Sequence, residues 1–204
     1  VGNRFYPQAN IGTVRNKGIE IMLGHNNNVS KNFSYDISAN VSFVNNRLTH
    51  LNGGSRVVHN DYQISDEGLP LFSFYGFEYE GIYRTDEEVA QHQYNVAQSD
   101  ITEHAGDARY RDRNNDGIID EKDMTALGSP FPWLTGGLNT TFRFYGVDVS
   151  LFFQGSYGGK VYNALRTLTE GDGSTSTLST TMRNVWTKDN TDGTIPSQSP
   201  SAST

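Results

Sequence analysis

Phe33-Ser34-Tyr35-Asp36-Ile37-Ser38-Ala39-Asn40-Val41-Ser42-Phe43 alternates apolar and polar side chains without a break. Successive side chains of a strand point to opposite faces, so this period of two predicts one long strand with an apolar face and a wholly polar face. Just upstream, Ile19, Ile21 and Leu23 stand against Glu20 and Gly24, and the Asn-rich stretch from His25 to Asn32 reads as the turn of a hairpin joining the two. The pattern recurs near the other end of the chain. Leu134, Leu138, Thr140, Phe142 and Phe144 lead to Tyr145-Gly146, and Val147, Val149, Leu151 and Phe153 return from it. Their other face carries Asn139, Thr141, Arg143, Asp148, Ser150 and Gln154.

Strands of about ten residues exceed the usual globular length of roughly five or six and match what a tilted strand needs to cross a bilayer. A soluble antiparallel sheet with one solvated face would alternate in the same way. The fold class expected is all-β and antiparallel.

Composition narrows the function. The chain has 204 residues with 12% aromatics, enough for a folded core, and its net charge of -7 comes with no run of Lys or Arg. A nucleic-acid binder would carry a basic footprint, so that class is set aside. Without cysteine there is no disulfide framework, no thiolate metal site and no Cys nucleophile. No segment approaches 18 consecutive apolar residues, and Val-Gly-Asn-Arg-Phe-Tyr-Pro at the start has neither a charged n-region nor an apolar h-region. A spanning helix is excluded; a spanning β-barrel is not.

Between the hairpins, taken as 10–44 and 134–157, lies the stretch 45–133, far longer than an ordinary connection. Antiparallel parity of the flanking strands allows zero or two crossings in this stretch, so its apolar-aromatic run from Leu71 to Tyr83 is either one of two crossings or a strand within the loop; the loop is expected, because no equal partner strand appears before Leu134. Thr85 and Glu88 have capping-box spacing ahead of a short helix reaching about Gln93. The stretch 158–204 reads as a further loop, and its last residues, Ser197 to Thr204, as a disordered tail.

The stretch Asp112-Arg-Asn114-Asn-Asp116-Gly117-Ile118-Ile-Asp120-Glu-Lys-Asp123 fits the twelve-residue calcium loop. Side-chain oxygens from Asp112, Asn114, Asp116, Asp120 and Asp123 stand at positions 1, 3, 5, 9 and 12, Ile118 can offer its carbonyl at 7, and Gly117 sits at the sharp turn. Clustering four carboxylates without a cation would cost mutual repulsion. Asp123 replaces the usual Glu at position 12, and Gly128, Pro130 and Pro132 stop any exit helix, so a single structural Ca2+ site is expected rather than a sensor.

Catalytic patterns are missing: no Gly-x-Ser-x-Gly, no His-Glu-x-x-His, and five scattered histidines. The chain is read as a non-enzyme. A hydrolase using loop carboxylates such as Asp66-Glu67 or Asp86-Glu87-Glu88 is the weakest alternative. Tyr75, Tyr79, Tyr83, Tyr110 and Trp133 lie in or beside the long connections and are the candidate ligand contacts, since aromatic rings on loops suit ring-shaped or apolar ligand faces.

Several motifs occur in a suggestive order. They are Asn10-Ile-Gly-Thr-Val-Arg-Asn16-Lys17-Gly18-Ile-Glu20, then Phe72-Ser-Phe-Tyr75-Gly76 with Gly81-Ile82-Tyr83, and Gly106-Asp107 before the acidic loop. Gly128-Ser-Pro130-Phe-Pro132, Phe152-Phe153-Gln154-Gly155, and Trp186-Thr-Lys-Asp-Asn190 with Thr194-Ile-Pro196 follow. Together they resemble the later barrel part of the SusC-like (SusC/RagA) TonB-dependent outer-membrane transporters. The resemblance implies part of a transmembrane barrel of about 22 strands, with long extracellular loops, importing oligosaccharides or oligopeptides. It further implies a SusD-like surface lipoprotein as lid, the TonB complex as energy source, and outer-membrane lipid around the wall. Against that pattern this stretch is expected to be a fragment without the signal peptide, plug or TonB-contacting segment, whose few strands would not close such a barrel or transport alone. The competing reading is a secreted, soluble calcium-binding β-module that binds glycan or a surface protein. The face of Phe33, Tyr35, Ile37, Val41 and Phe43 separates the two, since it meets lipid in one and a protein core in the other.

Overall fold

The computed structural model describes residues 10–91, 95–96, 103–170 and 178–197. In chain order the strands are β1 (Gly12–Ser30), β2 (Phe33–Leu51), β3 (Val57–Asn60), β4 (Gln63–Ser65), β5 (Ser73–Gly76), β6 (Tyr79–Ile82), β7 (Asn95–Val96), β8 (Ala108–Tyr110), β9 (Ile118–Ile119), β10 (Thr125–Gly128), β11 (Leu134–Phe144) and β12 (Val147–Tyr157). The short helices are α1 (Asp86–Gln91) and α2 (Ala164–Thr169). The chain divides into two compact units, Val1–Phe74 with Gly128–Lys160, and Tyr75–Leu127 with Val161–Thr204.

The first unit is built on an antiparallel sheet of order β1-β2-β11-β12. β2 pairs directly with β11, Phe43 opposite Leu134 and Phe33 opposite Phe144, although the two strands are far apart in sequence. At the β11–β12 turn, Tyr145 (φ 49°) and Gly146 (φ 81°) both take the left-handed region, the conformation that matches the twist of a two-residue hairpin. The first hairpin turns more tightly than the Asn-rich stretch suggests. Asn26, Asn27 and Asn28 remain in β1 opposite Asp36, Tyr35 and Ser34, and the reversal is confined to Lys31-Asn32. A partner strand that offers its amides and carbonyls keeps even poor strand formers in the ladder. β1 and β2 also run past β11, where Leu48 and Leu51 are buried, and among the described residues Ile64 of β4 is the other buried apolar side chain of this unit. Leu48 exchanges backbone bonds with the chain at Gly68 and Leu69, so the segment after β4 is tied to this extension.

The second unit gathers Ile82, Tyr83, Ile119, Trp186 and Ile195 into its core. The Trp186 backbone N–H donates to the Ile195 carbonyl at 2.8 Å, and the Gly106 N–H donates to the Tyr83 carbonyl at 2.7 Å while the Gly106 carbonyl accepts from the Ser197 N–H at 2.8 Å. In α1, the Thr85 hydroxyl accepts the Glu88 N–H at 3.3 Å, but the Glu88 carboxylate reaches back to the Arg84 N–H at 2.7 Å, one residue further than the capping box requires. The expected helix end near Gln93, and all of the expected tail except Ser197, lie outside the described residues.

Gly106 has φ 99°, and a Cβ there would overlap the Trp186 ring. Gly106→Ala is therefore expected to destabilise this unit by about 2–4 kcal/mol, strain and overpacking together. Gly81→Ala, at φ 142° with open space around it, should cost only the strain, about 1 kcal/mol. Hydrogen exchange at the Trp186 and Ser197 amides separates the two; equal protection in both variants would mean that the Gly106–Trp186 contact matters little.

Candidate functional site

The register of the first sheet aligns its apolar side chains in rows. Ile19, Phe43, Leu134 and Tyr157 form one row, Leu23, Ala39, Leu138 and Phe153 another, and Asn27, Tyr35, Phe142 and Val149 a third. Among the described residues no other element packs on this face, although its own neighbours leave Phe33, Tyr35, Ile37, Val41 and Phe142 half-buried and Thr140 buried. Ile19, Ile21, Leu23, Phe43, Leu138, Phe144, Val147, Val149, Leu151 and Phe153 are all exposed, Phe153 at 59%. The opposite face carries polar cross-strand pairs, Thr141 with Ser150 at 3.0 Å and Arg143 with Asp148 at 3.5 Å, interrupted by the exposed Met22 and Phe152.

Aromatic rings close both ends of the apolar face. At one end Trp133 stacks on Phe43, centroids 6.2 Å apart, and meets Tyr157 edge-on at 5.7 Å. At the other, Phe33 meets Phe144 at 6.2 Å and Phe144 meets Tyr145 at 4.6 Å. Phe33 and Phe43 are ten residues apart in β2. At ~3.3 Å per residue and a tilt of ~40° that spacing projects to ~25 Å, the height of the apolar band of an outer-membrane barrel between its aromatic girdles.

The acidic loop lies in the second unit. Asp112 accepts the Asn115 N–H at 2.6 Å and the Gly117 N–H at 2.8 Å, and Asp116 accepts from Ile118 at 2.9 Å. Asp123, fully buried, reaches back to the Arg113 N–H and sideways to the Asp120 N–H, each at 2.9 Å. Asn115 (φ 57°) and Gly117 (φ 78°) provide the left-handed turns that fold the loop around these carboxylates. A 3-10 turn, Glu121–Asp123, follows, with Asp120 as its N-cap. Lys122 Nζ lies 3.1 Å from Asp120 and 3.8 Å from Asp116, and its pKa is raised by Asp120 first and Asp116 next. Burial alone would raise the Asp123 pKa; the Asp120, Arg113 and Asn114 amides and Lys122 outweigh it and hold the carboxyl below its ordinary value. Among the described residues no three His, Cys, Asp or Glu side chains converge as a ligand group. The donor set is nonetheless all oxygen, as a hard cation requires.

The candidate aromatics separate. Tyr79 and Tyr110 are exposed, directly opposite each other on β6 and β8, and 6.3 Å apart, with Phe77 at 5.7 Å from Tyr110. Glu78 pairs with Arg113 at 3.0 Å and Arg111 at 3.4 Å beside them. Tyr75 is half-buried. Tyr83 is fully buried and so has no surface to offer a ligand; burial raises the pKa of Glu103, and the Tyr83 hydroxyl opposes that shift. Trp133 belongs to the aromatic rim of the sheet rather than to a loop, a placement that only the β11 register reveals.

Asp123→Asn places an amide donor against backbone donors. With chelator present, the loop is expected to lose about 1–3 kcal/mol, read as faster exchange of the Arg113 and Asp120 amides. Because the folded pKa of Asp123 is lowered, its contribution is present above the unfolded pKa and disappears as pH falls through the folded one. Unchanged exchange in the variant would count against that role.

No family model matches the chain. Relatives in sequence do exist. It is 30% identical to TonB-dependent receptor P3 of Formosa agariphila, over 92% of this chain and 19% of that protein. With TonB-dependent receptor SusC of Bacteroides thetaiotaomicron it shares 25% identity over 79% of this chain and 16% of that protein. In structure it is similar to the RagAB peptide transporter, with a TM-score of 0.69 and 22% identity over 91% of this chain and 20% of that one. The chain thus spans less than a fifth of the length of these sequence relatives.

Proposed function

This chain belongs to the SusC-like TonB-dependent receptors, and we propose that it forms a sector of the outer-membrane barrel wall of an importer, its apolar sheet face against lipid and its polar face toward the lumen. The observation that carries the reading is the uncovered apolar face with an aromatic row at each end, about 25 Å apart. A secreted soluble module would have to bury that face, and the described residues offer nothing to bury it.

On this reading the turns at Lys31-Asn32 and Tyr145-Gly146 face the periplasm, and the segment between β2 and β11 leaves on the outer side. The complete receptor works with a SusD-like lipoprotein and draws energy through TonB. Its cargo is an oligomeric nutrient, oligosaccharide or oligopeptide, and the exposed Tyr79–Tyr110 pair with Phe77 is the loop surface suited to a ring or apolar side chain. The acidic loop binds one structural Ca2+ through Asp112, Asn114, Asp116, Asp120, Asp123 and the Ile118 carbonyl, stiffening the outer segment. Support for the metal comes from the all-oxygen donor set at the right spacing and from Lys122, whose ammonium sits where a cation would relieve the Asp116–Asp120 repulsion.

Leu138 lies midway between the two aromatic rows, and Asn139 points to the other face. In the complete receptor, Leu138→Arg is expected to cost about 2–4 kcal/mol of folding stability in lipid and Asn139→Arg much less, measured by urea unfolding in vesicles. Equal costs would remove the lipid-facing assignment. For the metal, calorimetric titration with Ca2+ should show one saturable event that Asp112→Ala and Asp116→Ala abolish; a folded wild-type receptor that takes up no Ca2+ overturns the site and leaves the wall assignment intact.

A further inference from the structure

β1 and β2 continue beyond the row of Ile19, Phe43, Leu134 and Tyr157, where β11 ends, and on the same face the next side chains are cationic. Lys17 stands opposite Asn45, and Arg15 stands directly opposite Arg47. Lys17 shares an open cavity with Ile19, Phe43 and Trp133, so the basic group is continuous with the aromatic rim. Arg15, Lys17, Asn45 and Arg47 line the adjoining cavity of about 680 Å³.

Like charges directly opposite in a ladder are destabilising unless an anion joins them. Among the described residues none of the three forms an ion pair. Glu67, the carboxylate that lines the same cavity, turns its Oε1 to the Leu51 N–H at 2.6 Å and His50 Nδ1 at 3.1 Å and forms no ion pair with any of the three. Steps of two and four residues beyond the rim place the cations about 7–14 Å further along the strands. That is the headgroup level if the rim marks the edge of the hydrocarbon.

We propose that Arg15, Lys17 and Arg47 form a site for a phosphate-bearing lipid headgroup in the leaflet at the Trp133 rim. Two guanidinium forks on facing strands suit a phosphate's several oxygens, Lys17 adds a point charge, and the Asn45 amide is a neutral donor beside them. The apolar rows below would hold the acyl chains, which distinguishes a lipid from a free anion. The proposal rests on the lipid-facing reading of this sheet.

The test uses the complete receptor in uncharged detergent micelles, titrated with fluorescent phosphatidic acid. The triple substitution Arg15→Gln, Lys17→Gln, Arg47→Gln is expected to weaken binding about one hundredfold, while Lys31→Gln, at the opposite end of the hairpin, leaves it unchanged. This chain has no cysteine, so a nitroxide at Leu151→Cys in a receptor free of other cysteines reports the membrane face separately. Lipid contact at Leu151 with unchanged affinity in the triple variant overturns the headgroup site alone; water at Leu151 overturns the lipid-facing reading and this inference with it. Competition by inorganic phosphate as effective as by phosphatidic acid would make it a simple anion site and also overturn the proposal.

Discussion

The antiparallel ladder between β2 and β11 is the constraint on which the first unit depends. It sets Phe33 against Phe144 and Phe43 against Leu134, and because side chains alternate with period two, the apolar rows of the two hairpins then fall on one face, with Met22, Val44 and Phe152 as exceptions on the other. A slip of one residue would send one hairpin's apolar set to the polar side and leave two half-apolar faces, neither suited to lipid nor to water. The two aromatic rows follow from the same register, since Trp133 meets Phe43 and Tyr157 only when Leu134 is paired with both.

The second unit is held differently. Among its described residues few apolar side chains are buried, and specific backbone and side-chain bonds join segments far apart in sequence. The Arg84 guanidinium donates to the Thr191 and Gly193 carbonyls at 2.6 Å each, and Gly106 lies against Trp186 closely enough to exclude any side chain. Such a unit loses stability through single lost contacts rather than through gradual loss of a large core.

Charge is distributed with the same economy. Asp112, Asp116, Asp120 and Asp123 share one short loop, and backbone amides rather than basic side chains satisfy most of their oxygens, with Lys122 at the open side. An acceptor surrounded by amide donors stays ionised when buried. At the other extreme, Arg15, Lys17 and Arg47 collect positive charge on an acidic chain, on the strand ends next to the aromatic rim.

Alternation at Phe33–Phe43 and Leu134–Phe153 and the Tyr145-Gly146 turn were legible in the residues, because each is set by local geometry: strand period and left-handed turn. Ordered motifs added the family. What the sequence could not show is which distant residues meet. Arg15 faces Arg47, Trp133 joins the rim and Tyr83 disappears into a core because long-range pairing and packing decide neighbours. The Asn26–Asn28 stretch kept its place in a strand for the same reason, a partner's hydrogen bonds outweighing local preference. Local chemistry determined the elements and the chain's candidate ligands; tertiary pairing alone decided which face is whole, where it ends, and what stands beyond it.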